Sequence, residues 1–134
     1  MSISRTEGFN MSKTGVTGFK RIVNAGKYSL QGLKAAWINE AAFRQELILT
    51  VIMTVTAILL PRLDVLSRLL LVLMPWLVMV VEILNSAIEA VVDRTGDEWN
   101  ELSGRAKDLG SAAVFIMLLL TAAVWIVILF NCYI

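Results

Sequence analysis

Three long apolar runs constrain what this chain can fold into. They are Leu47–Pro61, Leu69–Val81 and Ser111–Phe130, and none of them contains a charged residue. A helix that crosses a bilayer needs about 20 mainly apolar residues. The third run has this length alone, and the first two reach it when their flanks are included. With 57% hydrophobic and 17% charged residues, the composition is typical of a membrane protein.

The runs predict an all-α membrane protein whose 134 residues form a single domain. We expect transmembrane helices at about residues 45–61, 66–92 and 111–131. Pro75 lies inside the second helix and predicts a kink, which helices in a bilayer tolerate. Residues 1–17 are polar and rich in Gly, Ser and Thr, so we expect them to be disordered.

Residues 18–46 mix apolar and basic side chains at helical spacing. This pattern predicts one or two amphipathic helices on the membrane surface, with Gly26 and Gly32 interrupting the first half. Trp37 is suited to anchor the helix at the interface. Glu40 and Arg44 are four residues apart, which favours an ordinary ion pair within a helix.

Three membrane crossings place the N-terminus and the 94–108 connection on the same side. That side carries all of the 12 basic residues except Arg62 and Arg68. Because basic residues are enriched in cytoplasmic segments, we expect this side to be cytoplasmic. The net charge of +1 gives no general attraction for nucleic acid.

The stretch Glu82–Asp93, EILNSAIEAVVD, continues the second apolar run. On a helix its polar side chains fall on one stripe about 100° wide; they are Glu82, Asn85, Ser86, Glu89 and Asp93. A soluble helix has the opposite proportions, with a wide polar face. A carboxylate at mid-membrane costs about 2.5–3.5 kcal/mol, so the stripe indicates a functional site. Polar contacts between helices are the alternative, most of all for Asn85 and Ser86.

The chain contains no histidine and one cysteine, so carboxylates are its main candidate bases and metal ligands. They favour a hard cation, Mg²⁺ rather than Zn²⁺. Helix length places Glu82 just inside the cytoplasmic boundary and Glu89 at it. Arg105 and Lys107 are suited to hold phosphate oxygens, although a solvated interfacial face is the alternative. Together these residues suggest a phosphoryl-transfer site at the cytoplasmic rim.

Two blocks of this sequence resemble the signature of the small prokaryotic integral-membrane diacylglycerol kinases: VEILNSAIEAVVD (Val81–Asp93) and ELSGRAKDLGSAA (Glu101–Ala113). AAWINEAAFRQE (Ala35–Glu46) resembles the Gram-negative branch more than the undecaprenol kinase branch of Gram-positive bacteria. The resemblance implies a homotrimer with shared active sites, each chain having three spans and an N-terminal amphipathic helix. It also implies transfer of the γ-phosphoryl of MgATP to diacylglycerol, giving phosphatidate, at the bacterial inner membrane.

The resemblance further implies roles for individual residues. Glu82 is expected to be the general base that takes the proton from the lipid hydroxyl, and Asn85 to be needed for activity. Glu40 and Glu89 are expected to be metal ligands that also border ATP. The other expected nucleotide contacts are Arg21, Tyr28, Glu98, Lys107 and Asp108; the neighbouring Trp99 and Asn100 depart from the family pattern. The expected contacts with the lipid substrate are Lys34, Ala35, Ala36, Trp37, Glu46, Glu82 and Ser111.

The residues themselves leave other functions open. The substrate alcohol is either diacylglycerol or another lipid alcohol such as undecaprenol. Acids within a membrane are also typical of ion-conducting subunits, and a polar contact between subunits is a third possibility. Against ion conduction, the acids cluster at one rim and Leu69–Val81 supplies no charged relay across the bilayer.

Overall fold

The computed structural model describes residues 18–96 and 98–134, and every regular element in this part of the chain is an α-helix. The elements are α1 (Phe19–Asn39), α2 (Ala41–Leu59), α3 (Val65–Asp93) and α4 (Glu101–Tyr133). Helices α2, α3 and α4 are each long and apolar enough to cross a membrane, which confirms the predicted fold class. The disorder expected of residues 1–17 lies outside the described residues.

The chain divides into two compact units, the first ending at Lys34 and the second comprising Ala35–Ile134. Helix α1 begins at Phe19 and continues through Gly26 and Gly32, so the predicted interruption at these glycines was wrong. A glycine in a helix costs about 1 kcal/mol relative to alanine, which neighbouring residues can offset. The helix ends at Asn39, and residues 41–46 belong to α2 instead.

Helix α3 is the centre of the second unit because it packs against both α2 and α4. Its buried positions follow alternating spacings of about four and three residues, the pattern of a helix with one packed seam. They are Leu71, Pro75, Val78, Met79, Glu82 and Asn85. Helix α2 faces this seam with residues seven apart: Phe43, Thr50 and Ala57. The polar stripe therefore continues an apolar helix interface.

Pro75 is fully buried inside α3, which remains a continuous helix. Proline has no backbone N–H, so the carbonyl of Leu71, four residues earlier, loses its usual helical donor. Trp125 of α4 supplies a replacement, since its indole Nε1 donates to that carbonyl at 3.1 Å. Thr50 of α2 donates to the Pro75 carbonyl at 3.4 Å. Neighbouring helices thus satisfy the backbone around the proline, as a membrane interior requires.

The short connection between α2 and α3 is held by side chains from both helices. Arg68 of α3 donates to the carbonyls at the end of α2, with distances of 3.1 Å to Ala57 and 3.1 Å to Leu60. A cation at this position also complements the helix dipole. Asp64 caps the start of α3 by accepting a hydrogen bond from the Ser67 backbone N–H at 3.0 Å. These contacts therefore hold the end of α2 and the start of α3 together.

Candidate active site

The polar stripe on α3 changes from buried to exposed along the helix. Glu82 is 5% exposed and Asn85 is 8% exposed. Glu89 is half-buried, whereas Asp93, the last residue of α3, is exposed. The sequence predicted that these side chains share one face, and the structure places the first two on the packed seam.

Three carboxylates lie around Glu82. Glu40, Glu46 and Glu89 each lie close enough to Glu82 for their negative charge to repel that of the Glu82 carboxylate. One oxygen of Glu46, Oε2, is buried without a hydrogen-bond partner among the described residues. A cluster of like charges at a helix interface is unfavourable unless a cation, a proton or a substrate compensates it. The acidic cluster is therefore the candidate site that the functional proposal has to explain.

Asn85 connects the buried part of the stripe to Glu89. Its Nδ2 donates a hydrogen bond to Glu89 Oε1 at 3.1 Å. Its Oδ1 is buried and accepts no hydrogen bond from the described residues. The amide therefore orients one carboxylate and holds its own oxygen against the backbone of α4 near Gly110.

At the exposed end of the stripe, α4 supplies a basic residue. Lys107 Nζ forms an ion pair with Asp93 Oδ1 at 2.5 Å, and the side chains are 40% and 65% exposed. Asp108 and Ser111 of α4 are exposed. Exposed ion pairs of this kind are worth about 0–1 kcal/mol, so the pair with Asp93 holds Lys107 only weakly.

The connection before α4 carries one further expected nucleotide contact, Glu98. Glu98 and Trp99 are both exposed. Asn100 caps α4, because its side chain accepts a hydrogen bond from the Ser103 backbone N–H at 3.1 Å. This cap is an ordinary use of Asn at a helix start.

The junction of α1 and α2 places Glu40 between the two helices in an extended conformation, with φ −110° and ψ 111°. Arg44 Nη1 donates to the carbonyls of Trp37 at 2.7 Å and Ile38 at 3.2 Å, near the end of α1. Among the described residues, Arg44 forms no ion pair with Glu40, so that prediction was wrong. Spacing i,i+4 brings side chains together only within one helix, and the helix breaks at Glu40.

The residues expected to contact the lipid substrate differ in burial. Ala36 packs in a cluster with Phe43 and Met79, whereas Ala35 and Trp37 are exposed. Lys34, a further expected lipid contact, is exposed on α1, as are Arg21 and Tyr28, which are expected to contact the nucleotide; all three belong to the first unit. Their roles stay predictions.

The carboxylates of Glu40 and Glu89 fit the expected Mg²⁺ by chemistry. No group of three or more His, Cys, Asp or Glu side chains able to hold a metal ion occurs within residues 18–96 and 98–134. Mg²⁺ usually binds one or two carboxylates and takes its other ligands from water and substrate phosphates. Two oxygen donors beside a further carboxylate, Glu82, match that type of site.

Comparison with known proteins decides the family. The sequence profile of the prokaryotic diacylglycerol kinases matches residues 27–129. The chain belongs to the prokaryotic diacylglycerol kinase family. The diacylglycerol kinase of Escherichia coli strain K12 is 56% identical over 115 residues, which are 86% of this chain and 93% of that protein. The diacylglycerol kinase of Haemophilus influenzae is 50% identical over 114 residues, which are 85% and 96% of the two chains. That of Pseudomonas aeruginosa is 49% identical over 119 residues, which are 87% and 94%.

Two contacts in this member of the diacylglycerol kinase family were not predicted from its sequence. Arg44 stabilises the junction that carries Glu40, and Gly110 lies directly against Asn85. The signal for Gly110 was a glycine inside a long helix, where it costs about 1 kcal/mol relative to alanine and so needs a packing reason. No sequence signal distinguished Arg44 from an ordinary ion-pair partner of Glu40.

Proposed function

We propose that this protein is a lipid kinase that transfers the γ-phosphoryl group of ATP to the hydroxyl of diacylglycerol, giving phosphatidate and ADP. A member of the prokaryotic diacylglycerol kinase family buries Glu82 on a membrane-spanning helix among three further carboxylates. A buried acidic cluster at a helix interface is costly and is typical of a functional site.

The reaction needs a base for the lipid hydroxyl. In the proposal Glu82 takes the hydroxyl proton while the hydroxyl oxygen forms a bond to the γ-phosphorus. The bond between that phosphorus and the bridging oxygen of ADP breaks, and ADP leaves with the electron pair. Glu82 suits this role because it is shielded from water, and general bases contribute about 10²–10⁴-fold to rates. Glu46 and Ser111 would lie along the lipid substrate; one oxygen of Glu46 has no hydrogen-bond partner in the described part of the chain.

The nucleotide would bind at the exposed end of the stripe. Lys107 would exchange its contact with Asp93 for phosphate oxygens, and Asp108 and Glu98 would border the nucleotide. Arg21 and Tyr28 of α1 are further proposed contacts. Bound Mg²⁺, held by Glu40 and Glu89, would neutralise charge on the transferring phosphoryl group.

The assembly and placement belong to the same proposal. We expect a homotrimer whose active sites combine residues of different chains, in the bacterial inner membrane. The N-terminus and the 94–108 connection would face the cytoplasm, where ATP is available, because basic residues concentrate there.

The test is a comparison of lipid alcohols. Purified protein in mixed micelles receives MgATP with diacylglycerol or, separately, undecaprenol, and the phosphorylated lipids are separated and quantified. The proposal expects phosphatidate as the main product. Preferential phosphorylation of undecaprenol would contradict the substrate assignment. Ion flux in ATP-free proteoliposomes, with no phosphorylated lipid from either alcohol, would contradict the kinase activity itself.

A further inference from the structure

At Gly110 the backbone of α4 lies directly against Asn85 of the polar stripe. A Cβ atom built on Gly110 would lie 2.2 Å from Asn85 Oδ1 and 3.2 Å from Asn85 Cγ. In proteins, a Cβ atom essentially never lies within 3.0 Å of a heavy atom of a neighbouring, non-bonded residue. For the other described glycines, including Gly104 on the same helix, a Cβ would meet nothing within 4 Å. The Asn85 side chain thus occupies the space that any side chain at position 110 would need.

The Asn85 amide has little freedom to move away from Gly110. Its Nδ2 donates to Glu89 Oε1 at 3.1 Å, and the residue is only 8% exposed. A rotation that relieved a clash at Oδ1 would also displace Nδ2, because the two atoms share one planar group. The Glu89 carboxylate would then lose the hydrogen bond that orients it.

On the basis of the proposed function, we infer that Gly110 is a positioning residue for the active site. Its lack of a side chain keeps the Asn85 amide in the orientation that holds the Glu89 carboxylate in place for the nucleotide and its cation. Gly110 acts through the Asn85 side chain, against which it lies. Residues that orient the ligands of a site typically contribute about 10–100-fold to affinity or activity when removed.

A purely structural role would also place a glycine here, since small residues allow membrane helices to pack closely. The two roles differ in their dependence on Asn85. A structural glycine is needed whatever residue occupies position 85. A positioning glycine loses its importance once the Asn85 amide is removed, because no amide remains to be displaced.

The experiment is a double-mutant cycle with Gly110→Ala, Asn85→Ala and the two combined in full-length protein. Gly104→Ala is the matched control, being the same substitution on the same helix in open space. Three quantities are measured: phosphatidate formation, binding of a non-hydrolysable ATP analogue with Mg²⁺ by calorimetry, and thermal unfolding in detergent micelles. Binding and unfolding remain measurable in variants that have lost activity.

We expect Gly110→Ala to weaken binding of the Mg²⁺–analogue complex by about 10–100-fold, while Gly104→Ala binds as the wild type does. In the Asn85→Ala background, adding Gly110→Ala should change binding by less than about twofold. The double variant should also regain the stability that Gly110→Ala alone loses. Wild-type binding by Gly110→Ala, or losses that add up in the double variant, would overturn the inference. Wild-type protein that binds the analogue but forms no phosphatidate would contradict the proposed function separately.

Discussion

The indole Nε1 of Trp125 donates a hydrogen bond to the backbone carbonyl of Leu71 at 3.1 Å. The carbonyl is available because Pro75, four residues later, has no N–H to offer it. A proline in one helix is therefore compensated by a tryptophan 50 positions further along the sequence, in another helix. The contact ties α3 to α4 within the apolar part of the protein.

Replacing this tryptophan tests the compensation. Trp125→Phe keeps an aromatic ring but removes the N–H donor, so the Leu71 carbonyl loses its partner. We expect a loss of about 0.5–2 kcal/mol in the free energy of unfolding, the range of hydrogen bonds between membrane helices. Unfolding in detergent micelles, followed by circular dichroism, measures it.

The control for this prediction restores the missing backbone donor. In a Pro75→Ala background, the N–H at position 75 can bond the Leu71 carbonyl within α3. Trp125→Phe should then cost clearly less than in the wild type. An equal cost in both backgrounds would mean that the tryptophan stabilises the protein by packing alone.

The cap of α3 makes the stability of the folded protein depend on pH. Asp64 accepts hydrogen bonds from the Ser67 hydroxyl at 2.5 Å and from its backbone N–H at 3.0 Å. The hydroxyl first and the N–H second lower the pKa of Asp64 below its ordinary value of 3.8. Because the pKa is lower in the folded state, the cap stabilises the protein above the ordinary value, and this contribution disappears as the pH falls through the folded-state pKa.

We therefore expect Asp64→Ala to be less stable than the wild type at neutral pH, with a difference that shrinks in acid. Thermal unfolding of both proteins, measured from neutral pH down to below the ordinary pKa of aspartate, gives the difference. Asp64→Asn is the control, because asparagine also caps helices but does not titrate here. A difference between wild type and Asp64→Ala that stays constant into acid would contradict the account of the cap.

Variants of Lys107 and Asp93 should affect nucleotide binding and protein stability differently. Their ion pair is exposed on both sides, so Asp93→Asn should change the free energy of unfolding by no more than about 1 kcal/mol. Lys107→Met should raise the KM for ATP about tenfold or more, since hydrogen bonds to charged groups contribute about 1.5–3 kcal/mol. Steady-state kinetics at varied ATP concentration measure the change. An unchanged KM in Lys107→Met would remove this residue from the nucleotide site.

The sequence was sufficient to predict the three apolar helices and the shared face of Glu82, Asn85 and Glu89. Both follow from regularities within a single helix: the length of an apolar run and a turn of about 100° per residue. The contacts of Trp125 and Gly110 were not predictable in this way. They depend on the register between α3 and α4, and no property of either helix alone fixes that register.

Local spacing also misled where the chain changes element. Glu40 and Arg44 have the spacing of a helical ion pair, but the break at Glu40 turns Arg44 towards the carbonyls at the end of α1. Gly26 and Gly32 carried a breaking signal that the rest of α1 overrides. In each case the weak local preference was outweighed by neighbouring residues.

In the proposed mechanism, the buried carboxylate of Glu82 takes the proton from the lipid hydroxyl. The most direct measurement is kcat for phosphatidate formation by Glu82→Gln, which keeps the shape of the side chain but removes its basicity. Glu101→Gln is the control, since Glu101 is an exposed carboxylate in the first turn of α4. We predict a fall of about 10²–10⁴-fold in kcat for Glu82→Gln, with binding of the ATP analogue retained and Glu101→Gln unaffected. A Glu82→Gln protein that forms phosphatidate at the wild-type rate would contradict the claim.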